Sequence, residues 1–136
     1  MRTPLPEKLK EELALLYRDL ACAQSSLSAT CHQCGACCNF REYDHELWVT
    51  NLELAYLIDT EGARTVAEAG VCPYMENNRC TARIGRTLGC RVFLCEQNAV
   101  EMEELHEVFF NRLRALAKKY NIELEYGEFI RSMKDL

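Results

Sequence analysis

Leu5, Leu9, Leu13, Leu16 and Leu20 recur at steps of three and four, with charged residues filling the positions between them. That period puts the leucines on one stripe of an amphipathic helix over about 5–24, entered through Pro4 and Pro6 and ended by Ser25-Ser26-Leu27-Ser28. A second stripe, Met102, Leu105, Phe109, Leu113, Leu116 and Tyr120, predicts a long helix over about 97–120, with Asn121 as its C-terminal cap. Between them, Thr50-Asn51-Leu52-Glu53 has the form of a capping box and opens a short helix over 51–61 that Gly62 ends. A further short helix is expected over 63–69, before Gly70. Residues 122–126 alternate apolar and acidic side chains and read as extended, and 127–133 as a last helical turn or two. The fold class is therefore mainly α. A single domain, 1–136, has two long helices bracing an irregular, cysteine-rich region.

That region breaks the pattern. From Cys72 to Cys95 the chain is rich in turn formers, Pro73, Asn77-Asn78, Gly85 and Gly89, and carries no apolar stripe, so bound metal is expected to supply much of its order. Eight of the nine cysteines fall between 31 and 95: Cys31, Cys34, Cys37, Cys38, Cys72, Cys80, Cys90 and Cys95. C-x2-C-x2-C lets three thiolates from one backbone turn face a common centre, with Gly35 easing the turn, while Cys38 points away and serves something else. The overlapping triplet is the core of a ferredoxin pattern that closes with Cys-Pro, and Cys72-Pro73 supplies such a pair at a distance. Zinc sites are built instead from two separable C-x2-C knuckles. An iron–sulfur cluster of the 4Fe-4S type is the favoured cofactor and Zn2+ the alternative, with the number of centres and the cysteines sharing each left open. Cys22 lies off the leucine stripe and outside the window and reads as a structural thiol.

Charge sharpens this picture. The chain carries −5 overall, yet the 72–95 segment holds Arg79, Arg83, Arg86 and Arg91 against one acid, Glu76. A tetrathiolate centre of charge about −2 would be offset by such arginines, and Arg83, Arg86 and Arg91 are candidates to adjust its charge from just outside the ligand set. His32, inside the first cysteine loop, could hold a ligand in place or relay a proton. His45 carries no distinguishing signal, and His106, in a charged helix, reads as a surface residue. Arg41, Tyr43, Asp44 and Trp48 form a polar-aromatic group that reads as packing, with substrate recognition as the sharper alternative. The acidic balance argues against a nucleic-acid partner, and no apolar run is long enough for a membrane span. Charged residues interrupt any leader-like stretch near the N-terminus, so a cytoplasmic protein is expected. There, dense cysteines mean metal or redox chemistry rather than disulfides. No glycine-rich nucleotide fingerprint marks a self-contained enzyme, and a redox partner protein is the expected partner.

C-x2-C-x2-C-C, followed by C-P-x4-N-x-C and then R-x3-C-R, resembles the CxxCxxCC family of zinc- or iron-chelating domains, the YkgJ-like cysteine cluster proteins, over about 31–95. The resemblance implies Cys31, Cys34, Cys37, Cys38, Cys72, Cys80 and Cys90 as chelating positions, with Arg86 and Arg91 as accompanying arginines. Thr87 stands where the family has proline, Ala82-Arg83 replaces its hydrophobic-Tyr pair, and Cys95 is an addition. Some relatives are iron–sulfur oxidoreductases and a similar cluster accompanies flagellin lysine methylases, which implies, as a third reading, an accessory metal subunit of a protein-modifying enzyme.

Overall fold

The computed structural model describes residues 5–24, 47–66, 71–77, 79–92 and 99–134, with the side chains of Arg79 and Ala99 outside the description. Helix α1, Glu7–Gln24, buries Leu9, Leu13, Leu16, Tyr17 and Leu20, so the leucine stripe is its core face. It packs on the long helix α4, Ala99–Lys119, through Phe109, Leu113 and Ala117. Glu12 meets Lys119 at 2.8 Å, while Asp19, two turns further along α1, meets Arg112, two turns back along α4, at 2.9 Å. The two long helices are thus antiparallel. α4 ends in a Schellman motif: Asn121 takes a left-handed φ of 56°, Ile122 N–H donates to Ala117 O at 2.8 Å, and Asn121 N–H donates to Lys118 O at 3.2 Å.

Helix α2, Asn51–Glu61, starts on the complete capping box. The Thr50 hydroxyl accepts from Glu53 N–H, and the Glu53 side chain accepts from Thr50 N–H. It stops at Gly62, whose φ of 84° excludes most other residues. Residues 63–66 are not helical, and 67–69 of the helix expected there lie outside the described residues. The polar, exposed stretch 62–65 lacks a face to bury.

Strand β1, Trp48–Thr50, immediately precedes α2 and pairs antiparallel with the later strand β4, Tyr126–Glu128, with Trp48 opposite Glu128 and Thr50 opposite Tyr126. Asn51 extends the pairing: its amide group donates to Glu123 O at 2.9 Å and accepts from Glu125 N–H at 2.8 Å. The extended segment expected at 122–126 is therefore held, but the strand itself sits a few residues later. Helix α5, Phe129–Lys134, follows, its first amides capped by the Glu128 carboxylate.

Between α2 and α4, strands β2, Met75–Glu76, and β3, Arg79–Cys80, form a hairpin whose turn residue Asn77 takes φ 52°. Helix α3, Leu88–Val92, comes next. Beside whatever order a bound metal supplies, this region has apolar anchors of its own. Tyr74, Ala82, Leu88 and Val92 are buried, the first two with Val49, Leu57 and Phe129 and the last two with the α1–α4 core. These isolated anchors have no helical period, which is why the pattern along the chain did not show them.

Candidate metal centre

The cysteine-bearing elements are joined to the helices by a small number of directed bonds. Cys72 is buried among Val49, Leu54, Leu57 and Tyr74, and its carbonyl accepts from Met75 N–H at 3.1 Å at the foot of the hairpin. Cys80 lies opposite Met75 on the other leg and packs, partly buried, against the same cluster. Tyr74, between them in sequence, donates its hydroxyl to Gly62 O at 2.6 Å, and the carbonyl of Tyr74 accepts from Thr81 N–H at 2.9 Å. Arg64 lies 5.4 Å over the Tyr74 ring and pairs with Glu76 at 2.7 Å, which raises the pKa of its guanidinium. The hairpin is thus strapped to the chain that leaves α2.

Cys90 sits elsewhere, on α3. The residue at the N-cap position of this helix is Thr87, but its buried hydroxyl has no partner among the described residues. The cap comes instead from Glu53, 35 residues earlier, whose Oε1 accepts from Leu88 N–H at 2.8 Å while Oε2 accepts from Thr50 N–H and the Thr50 hydroxyl. One carboxylate, 2% exposed, therefore caps α2 and α3 together. Burial pushes its pKa up, opposed by those three donors. Two turns later, Glu61 accepts from Gly85 N–H at 2.8 Å and Ile84 N–H at 3.1 Å. The backbone comes so close there that a Cβ on Gly85 would lie 2.2 Å from Thr60 Oγ1 and 3.3 Å from Leu57 Cα.

Of the arginines expected near a centre, Arg91 and Arg86 make bonds within this segment. The Arg91 guanidinium lies 3.8 Å over the Tyr17 ring, its Nε donates to Arg86 O at 2.7 Å, and its terminal nitrogen donates to Ile84 O. Burial lowers its pKa. Gln24, at the end of α1, donates to Arg91 O at 2.7 Å. Arg86 Nε in turn donates to Arg83 O at 3.3 Å. Tyr17, beneath Arg91, keeps a buried hydroxyl with no partner among the described residues, and burial holds its pKa well above the ordinary range.

Of the eight expected ligands, Cys31, Cys34, Cys37, Cys38 and Cys95 lie outside the described residues, as do His32, Arg41, Tyr43 and Asp44. Among the described residues no three Cys, His, Asp or Glu side chains gather as a metal site, so Cys72, Cys80 and Cys90 do not complete one by themselves. What they offer a metal is thiol donors on two separately braced elements. Cys22 is exposed on α1. His106, expected at the surface, is half-buried, and burial lowers its pKa. No helix among the described residues is long and apolar enough to cross a membrane.

No family model matches the chain, and no characterised protein or solved structure is significantly similar to it.

Proposed function

We propose that the chain is a cytoplasmic cysteine-cluster metalloprotein that carries an iron–sulfur cluster of the 4Fe-4S type and works in electron transfer or redox sensing, exchanging electrons with a partner protein. The observation that carries this reading is the spacing Cys31-x2-Cys34-x2-Cys37-Cys38 followed by Cys72-Pro73, which suits a polynuclear cluster better than two zinc knuckles. The supply of further thiols from the β2–β3 hairpin and from α3 supports it. Short elements held by Glu53, Glu61 and Arg91 offer donors at low reorganisation cost, which suits a centre that must change oxidation state without refolding.

Anaerobic purification followed by iron, zinc and acid-labile sulfide analysis tests the reading. Brown protein with broad absorption near ~400 nm and iron matched by sulfide is expected. Colourless protein with stoichiometric zinc would replace it with a structural or chelating zinc module, and a cluster with no reversible couple in voltammetry would remove electron transfer.

A further inference from the structure

The β1–β4 ladder and α4 enclose an open cavity of about 520 Å³ lined by Thr50, His106, Phe110, Arg114, Leu124 and Tyr126, a size typical of small-molecule sites. Its walls are rings. His106 lies parallel to Phe110 with centroids 5.6 Å apart and planes 17° apart; Phe110 meets Tyr126 edge-on at 5.8 Å; and Tyr126 stacks on Trp48 at 5.8 Å and 19°. Trp48 and Tyr126 nevertheless remain 45% and 55% exposed, so this row of aromatic faces is left in contact with water rather than closed into the core. His106, Phe110 and Arg114 follow one another at four-residue steps and share one stripe of α4, which sets the histidine and arginine ends about 12 Å apart. Arg114 lies 5.3 Å over the Phe110 ring and makes no ion pair with a described carboxylate. Burial holds His106 below its ordinary range, so at neutral pH the positive charge lining the cavity is that of Arg114.

Aromatic rings accept a flat apolar ligand by stacking, and the Arg114 guanidinium beside Phe110 selects a negative group and repels a cation. We propose that this cavity binds a planar ring carrying an anionic group, the ring lying parallel to one of the two perpendicular rings Phe110 and Tyr126 and edge-on to the other, and the anion meeting Arg114. None of the residues lining the cavity is a candidate metal ligand, so the site stands whether or not the metal proposal does.

A carboxylate and a phosphate present the same chemistry to Arg114, so the test has two arms, benzoate and adenosine monophosphate. Trp48 is the chain's one tryptophan, so a single indole N–H resonance reports on the site. Either anion should shift that resonance saturably, and the arm that saturates at lower concentration identifies the source. Benzyl alcohol and adenosine, which keep the ring without the charge, should bind at least about fivefold more weakly, as expected for loss of a charge-assisted contact. Arg114→Gln, at an exposed position, should abolish that preference without changing the thermal melt, and Tyr126→Ala should weaken both anions. No saturable shift with either anion, equal binding of the uncharged rings, or an undiminished preference in Arg114→Gln would overturn the proposal.

Discussion

The carboxylate of Glu53 accepts the backbone N–H of Leu88 at 2.8 Å, joining the first turn of α2 to the first residue of α3. Because the same side chain closes the capping box with Thr50, three donors depend on one buried group. Glu53→Gln replaces one accepting oxygen with an amide nitrogen that must face a donor. It should lower stability by about 1–3 kcal/mol in urea denaturation, and Glu53→Ala should cost more. A loss below about 0.5 kcal/mol for both variants would show that the two helix starts are held by something else.

Tyr17 makes the opposite case. Its hydroxyl is buried without a partner among the described residues, so Tyr17→Phe should leave stability at neutral pH unchanged or raise it by up to about 1 kcal/mol, the stack with Arg91 being kept. The pH dependence follows from burial. The folded protein holds the Tyr17 proton more tightly than the unfolded chain, so above the ordinary tyrosine value of about 10 it binds more protons than the unfolded chain and loses stability as pH rises. Denaturation between about pH 9 and 11 should show a steeper decline for the wild type than for Tyr17→Phe. Parallel curves would rule out the effect.

Gly85→Ala tests the close approach of the 83–85 turn to α2. The new methyl would meet Thr60 Oγ1 at 2.2 Å and Glu61 Cγ at 2.8 Å, and an overpacking cost of about 1–3 kcal/mol is expected. Adding Thr60→Ala should recover part of the loss, but not all of it, since the α-carbon of Leu57, 3.3 Å from the new methyl, belongs to the helix backbone and cannot be trimmed. Full wild-type stability in the single variant would mean that the turn can move away from α2 without penalty.

Removal of the proposed metal should leave part of the cysteine region folded. The amides of Gly85 and Leu88 donate to Glu61 and Glu53, and Tyr74, Leu88 and Val92 are buried in protein contacts. Hydrogen exchange after chelation should keep the Gly85 and Leu88 amides protected. Exchange at unfolded-chain rates for both would show that these contacts do not hold the segment without metal.

What the sequence made legible was local. The α1 and α4 stripes, the Thr50–Glu53 box, the Gly62 stop and the Asn121 cap all rest on residues a turn apart, and each is where the pattern put it. Contacts between distant residues were not legible. The box revealed one role of Glu53 but not the bond to Leu88, because nothing in a four-residue motif names a partner 35 positions away. β1 escaped notice because three residues are too few to show alternation, and its pairing with Tyr126–Glu128 is what turns Trp48 from one member of a polar-aromatic group into the end of a stacked row. The candidate ligands were legible by type and spacing. That Cys72 and Cys80 belong to the hairpin and its foot and Cys90 to α3 was not, since it depends on short elements that carry no periodic signal.

The pairing of β1 with β4 also sets the order in which the molecule can be assembled. Val49 lies opposite Gly127, and the cluster that takes in Cys72 is completed by Phe129, Ile130 and Met133. As a growing chain leaves the ribosome, every cysteine emerges before the strand and helix that close this half of the core. Cys72 and Cys80 therefore meet the solvent on an unfinished scaffold, and Phe129, Ile130 and Met133 close over that cluster only afterwards.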